Sequence, residues 1–141
     1  MTQIEIALVQ STFSKVMPIE ETAATLFYNK LFELDPSTKV LFAHTDMNKQ
    51  KKVLMSTLKT VVYSLEDFET VQSSVEALGK RHVRYKVEEK HYTVVGQALI
   101  WALSQGLGND FTPDVKAAWI SAYTFLANIM MDSAKKTAVS K

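Results

Sequence analysis

The sequence predicts an all-α domain. Three observations carry that prediction. Apolar residues recur at spacings of three and four along nearly the whole chain. Only four glycines and three prolines interrupt its 141 residues, and each proline falls where one periodic stretch gives way to the next. A chain of this length is the usual size of one domain and can bury roughly 68% of its unfolded surface.

The first helix is expected from about Thr2 to Val16, on a stripe of Ile6, Val9, Phe13 and Val16. Met17-Pro18 ends it and opens the second, which reaches Leu34 with Ala24, Tyr28, Leu31 and Phe32 on one face. Asp35-Pro36-Ser37 has the cap-then-proline pattern of a helix start, and a short turn follows, ending in Val40-Leu41-Phe42. Ala43 to Met47 is a polar corner. The next helix, about Asn48 to Leu65, carries Leu54, Thr57, Leu58, Val61, Val62 and Leu65. A helix over Phe68, Val71, Val75, Leu78, Gly79 and His82 follows. Those residues share one face, so His82 closes an apolar stripe and points toward the core. Val83 to Lys90 is a charged connection. Tyr92, Val95, Leu99 and Leu103 mark a helix from about Glu89 to Gly106, stopped by Gly106-Leu107-Gly108-Asn109. Thr112-Pro113-Asp114 starts the last helix, which runs to about Ser133 through Ala118, Trp119, Ala122, Tyr123 and Met130. The expected total is six long helices and one short one. Residues 1–134 form the domain and 135–141 a frayed C-terminal tail.

Composition excludes several functions. No apolar run approaches the ~20 residues of a membrane span, and the first residues show no signal-peptide pattern. A net charge of +1 gives no overall electrostatic footprint for nucleic acid or membrane. Cysteine is absent, which removes disulfides, thiolate metal sites and thioether-attached haem, and fits a cytoplasmic protein. Met130-Met131 and the regularly spaced aromatics read as packing residues. Lys49, Lys51 and Lys52 read as a solvated helix face.

Three polar side chains interrupt the apolar faces: Tyr28, Gln50 one turn before Leu54, and His82. Singly, each has an ordinary structural explanation. Together, from three helices that can converge, they suggest one pocket. They form no nucleophilic triad and no phosphate loop, and His44 and His91 lie in or beside connections, near the surface. One inward histidine suffices when the metal brings its own equatorial ligands, as haem iron does. Donors opposite would then stabilise iron-bound oxygen.

These residues resemble a family. The chain is similar over about residues 4 to 132 to bacterial single-domain haem globins, akin to the globin domain of flavohaemoglobins, to Vitreoscilla haemoglobin and to methanotroph and neuroglobin-like globins. The resemblance is carried by Leu26-Phe27-Tyr28-Asn29-Lys30-Leu31-Phe32 through Pro36 and by Val40-Leu41-Phe42. It continues in Leu78-Gly79-Lys80-Arg81-His82, His91-Tyr92-Thr93-Val94-Val95-Gly96 and Ala118-Trp119-Ile120-Ser121-Ala122-Tyr123. It implies a 3-over-3 helical sandwich holding non-covalent haem b. His82 is the implied proximal iron ligand and Phe42 the residue stacked on the porphyrin. Tyr28, Gln50 and Leu54 are the implied distal residues, with Gln50 placed through the Leu54-Met55 match. Val87, Tyr92 and Val95 line the proximal side, and Arg81 and Arg84 are candidates for the propionates.

One position departs from the pattern. Flavohaemoglobins place in the last helix a glutamate that pairs with the proximal histidine and the tyrosine matching Tyr92; here that position is Ala134. Asp132 is the nearest acid, but two residues turn ~200° around a helix. A histidine without its carboxylate loses the electron push that peroxidase-like chemistry uses.

The function implied is reversible binding of O2, and of NO and CO, as in oxygen binding and transport. Two alternatives stand beside it. One is nitric oxide detoxification by an NO dioxygenase served by a separate reductase, since the chain ends where a flavin domain would begin. The other is a haem-free sensor or interaction domain. A six-coordinate resting state using His44 is a further variant.

Overall fold

The structure is a computed structural model that describes residues 1–84 and 87–139. Seven α-helices are present among them: α1 (Gln3–Val16), α2 (Glu20–Leu34), α3 (Thr38–Leu41), α4 (Met47–Tyr63), α5 (Gln72–Arg84), α6 (Glu89–Leu107) and α7 (Pro113–Val139). No strand occurs among the described residues. Six helices are long and one, α3, is a single turn, as periodicity predicts.

The helix ends follow local chemistry. The Thr2 hydroxyl accepts from the Glu5 amide at 3.0 Å while the Glu5 carboxylate accepts from the Thr2 amide at 2.9 Å, a closed capping box at the start of α1. The Asp46 carboxylate caps α4 by accepting from Asn48 N–H at 3.0 Å. The Asp35 carboxylate accepts from Ser37 N–H at 3.0 Å, and Thr112 Oγ1 from Val115 N–H at 3.3 Å, beside the two prolines. Gly108, at φ 54°, carries the chain out of α6 in a conformation that side chains disfavour.

The helices form two layers of three. α2, α6 and α7 make one, and α1, α4 and α5 cross over them, with α1 against α7, α4 against α2, and α5 against α7. Val9, Phe13, Ala24, Ala118 and Trp119 fill the centre. Trp119 Nε1–H donates to Thr12 Oγ1 at 2.9 Å, so the indole and the hydroxyl enter the core without an unpaired donor.

Three expectations are corrected. The helix that bears His82 begins at Gln72, not Phe68. Leu65–Thr70 is 3-10 turn, and Asp67 leaves the helical basin at φ −132°, ψ 59°. Phe68 therefore packs outside the α5 stripe, edge-on to Phe125 at 4.9 Å. His91 is buried rather than near the surface: it stands in the first turn of α6, where its Nδ1 accepts from Glu88 N–H at 2.8 Å. The last helix continues to Val139, beyond the expected end at Ser133. Residues 140–141 of the expected tail, and 85–86 of the expected connection, lie outside the described residues.

Candidate functional site

Where α4 and α5 stand apart over α6 and α7, they leave an apolar cavity of about 180 Å3. Leu54, His82, Val87, Tyr92 and Val95 line it, as the sequence places them. The stripe of α4 explains this wall. Leu54, Leu58 and Val61, on one apolar stripe, all face the cavity; Val61 is buried, and Leu54 and Leu58 are half-buried.

His82 is the one ring nitrogen donor among the described lining residues. Its Nδ1 lies 2.6 Å from the carbonyl of Leu78, one turn earlier. A carbonyl oxygen only accepts, so Nδ1 carries the hydrogen and the lone pair resides on Nε2. Burial pushes the His82 pKa down, the Leu78 carbonyl opposes that, and the Arg81 charge adds to it. The net effect favours the neutral imidazole, the form that ligates metal. Val87 N–H donates to the His82 carbonyl at 3.0 Å and ties the far side of α5 to the site.

A second group of residues adjoins the cavity. Gln50 Nε2–H donates to Tyr28 Oη at 3.1 Å. Tyr28 is 3% exposed, and its ring meets Phe42 at 5.5 Å and Phe27 at 4.9 Å, both edge-on. Phe27 also lines the cavity. Tyr28, Gln50 and Phe42 are thus joined to one another and sit next to the cavity without lining it as it stands. Because Gln50 donates to the Tyr28 oxygen, the phenol proton remains to be given, and no acceptor takes it among the described residues. Burial raises the Tyr28 pKa, with the Gln50 hydrogen bond as a smaller opposing effect, so the hydroxyl is a proton-bearing donor at neutral pH.

The other predicted residues divide. Arg81 is exposed and does not line the cavity; the side chain of Arg84 lies outside those described. His44 is exposed in the corner after Phe42. Asp132 is exposed, as its helical angle requires, and Ser133 turns inward to donate to the Glu76 carbonyl at 2.8 Å. Tyr92 Oη is buried with no hydrogen-bond partner among the described residues.

Sequence reading missed several lining residues, notably Phe27, Leu58, Leu78, Leu99 and Met130. Their stripes were legible. A periodic stripe marks a buried face, but does not separate a packed interface from an apolar cavity.

The donor set tests what the cavity can hold. Among the described residues no three metal-ligating side chains converge, so a bare ion has no coordination shell here. A single imidazole on an apolar cavity fits a metal that arrives inside an apolar macrocycle.

Comparison with known proteins points the same way. The family model described as Globin matches residues 25–130. A flavohemoprotein of Xylella fastidiosa is 31% identical over 129 residues, 90% of this chain and 32% of that protein. A flavohemoprotein of Vibrio cholerae is 26% identical over 134 residues, 94% of this chain and 34% of that protein. The chain spans about a third of the length of these relatives. An engineered carbene transferase, described as a putative nitric oxide dioxygenase from Rhodothermus marinus, superposes with a TM-score of 0.90. The match covers 99% of this chain and 97% of that one at 24% identity, a likeness of fold.

Proposed function

The chain belongs to the globin family, and from that premise we propose that it is a haem protein that binds O2, and also NO and CO, reversibly at an iron held by His82. The observation that carries the reading is the neutral imidazole, with Nδ1–H fixed on the Leu78 carbonyl, on the wall of an apolar cavity otherwise without metal ligands. When bound, haem iron supplies the open coordination position for a diatomic gas.

The protein's own residues do the rest. His82 Nε2 holds the iron. With no cysteine in the chain, haem is held without thioether links, as haem b. Val87, Tyr92 and Val95, beside His82 on the cavity wall, would hold the haem on the histidine side, Phe42 would pack on it, and Arg81 would pair with a carboxylate at its edge. On the opposite side Tyr28 would donate a hydrogen bond to a gas held there, Gln50 would orient the phenol, as it does already at 3.1 Å, and Leu54 would limit the space. A hydrogen bond to a charged acceptor is worth ~1.5–3 kcal/mol, one to two decades in ligand escape. The same reading places the protein in the cytoplasm.

A second reading uses the same pocket. In NO dioxygenation, NO, O2 and one electron give nitrate, so turnover requires an electron donor. The Tyr28–Gln50 pair favours this reading as much as simple binding, because each needs a stabilised dioxygen.

Absorption spectra of the haem-reconstituted protein in ferric, deoxy, O2 and CO forms test the assignment. A pentacoordinate deoxy spectrum with stoichiometric haem is expected, and His82→Ala abolishes it. Intact histidine-ligated haem in that variant would remove His82 from the iron. Catalytic NO consumption with an added reductase separates the enzyme from the carrier.

A further inference from the structure

The net charge of +1 conceals a strong asymmetry. Residues 39–59 and 80–86 hold nine of the sixteen Lys and Arg and one of the fifteen Asp and Glu. That acid, Asp46, is occupied in capping α4. The remaining chain carries seven cations against fourteen anions. The two basic segments are also the ones that contain Phe42, Gln50, Leu54 and His82. Positive charge is therefore concentrated on the elements that build the site.

Helix α4 shows the arrangement most clearly. It contains four lysines and no carboxylate. Its inner face turns Leu54 and Leu58 to the cavity. Lys49, Lys52, Val53, Ser56 and Lys59 are exposed at helical spacing on the outer face. Lys80 and Arg81 are exposed on α5, just before His82. None of these cations joins any of the four ion pairs among the described residues. Nor does the fold benefit from the placement. Lys49, in the first turn of α4, and Lys51 and Lys52, in the next, lie near the positive end of the helix dipole, where a cation is unfavourable. Val53 and Val40, 55% and 73% exposed, add apolar surface among the cations. Apolar contact inside a charged rim is the anatomy of a transient protein interface, and a one-signed rim speeds encounter with a partner of opposite sign.

We propose that this basic rim docks an acidic electron-donor protein, which binds across the outer face of α4 and beside Lys80 and Arg81. The proposal rests on the haem reading above. The donor's flavin hydroquinone anion loses one electron and becomes the neutral semiquinone. Ferric iron takes that electron and becomes ferrous, and no atom or proton is exchanged. An acidic protein fits better than an anionic membrane because the exposed apolar residues among the described residues of these segments are small, alanine and valine, without the large side chains that anchor a surface helix in lipid.

The test uses the haem-loaded protein and an acidic FMN protein of the flavodoxin fold. Calorimetry measures binding of its oxidised form, and rapid mixing measures iron reduction by its hydroquinone. Between about 20 mM and 500 mM salt, which shortens the screening length from ~20 Å to ~4 Å, affinity and rate should fall by ~10-fold or more. Lys52→Glu/Lys59→Glu should lower both ~10-fold at low salt, and Lys52→Gln/Lys59→Gln by less. Lys116→Glu, an exposed position on α7 remote from the rim, should leave both within about twofold. Salt-independent binding, or an equal loss in Lys116→Glu, overturns the proposal. So does binding to phosphatidylserine vesicles, but not to the FMN protein, that depends on Lys52 and Lys59. Failure to take up haem would instead refute the functional reading, and calorimetry of the FMN protein would still report on the interface.

Discussion

At the scale of residues, the direction of one hydrogen bond decides what Tyr28 can do. Had the phenol donated to Gln50, its proton would be spent; because the Gln50 amide donates to the phenol oxygen, the proton remains to be offered. Tyr28→Phe should therefore raise the O2 dissociation rate by roughly tenfold or more, read by stopped-flow displacement with CO. Gln50→Leu should produce a smaller rise, since Gln50 acts by orienting Tyr28. An unchanged rate in Tyr28→Phe would place Tyr28 away from the ligand. The sequence made this pair visible because polar side chains on apolar stripes are conspicuous. It did not make visible the direction of their hydrogen bond, nor that the pair lies beside the present cavity rather than in its wall. The first depends on which end of the Gln50 amide faces the phenol and the second on how α2 packs against α4, and no local pattern encodes either. The orphaned hydroxyl of Tyr92 follows the same logic. The sequence shows Ala134 where the resemblance implies a glutamate, and no other group among the described residues takes up that hydrogen bond.

At the scale of elements, α5 is the helix whose position matters most, since it carries His82 and rests mainly on α7. Gly79 sets how closely. A Cβ built there would stand 2.7 Å from Met130 Cα and nearer still to its carbonyl. Backbone cannot rotate aside as a side chain does, so Gly79→Ala must push α5 off α7. The expected cost is about 3 kcal/mol, measured by urea denaturation, together with weakened haem retention. A variant that keeps wild-type stability and haem would show that α5 slides freely. Haem loading should in turn protect α5 amides from hydrogen exchange more than those of α1, because one face of α5 borders the cavity. Equal protection of both helices would argue against α5 as the element the cofactor secures. Helix identity and order were readable from periodicity. The start of α5 was not, because Phe68 and Val71 keep helical spacing with Val75 while Asp67 breaks the backbone. His91 misled for a related reason: its place beside a connection suggests exposure, yet it caps the first turn of α6 from a buried position.

At the scale of the whole molecule, three tyrosines from three helices, two buried and one half-buried, couple the fold to alkaline pH. Burial raises the pKa of Tyr28 on α2, of Tyr92 on α6 and of Tyr123 on α7; for Tyr123 the neighbouring Tyr92 adds to it. Below the unfolded value near pH 10 every hydroxyl is protonated in both states, so tyrosine adds no pH dependence. Above it the unfolded chain releases protons that the fold retains. The native state then binds more protons, and stability falls as pH rises, by up to about 1.4 kcal/mol per pH unit for each such tyrosine. The loss continues until pH passes the raised folded values. Urea denaturation across that range should show the slope, and Tyr92→Phe should flatten it. The variant should lose nothing at neutral pH, because the hydroxyl it removes is buried without a hydrogen-bond partner among the described residues. The same slope in the variant and the parent would mean that Tyr92 ionises as readily in the fold as out of it. A loss of stability at neutral pH would mean that its hydroxyl has found a partner.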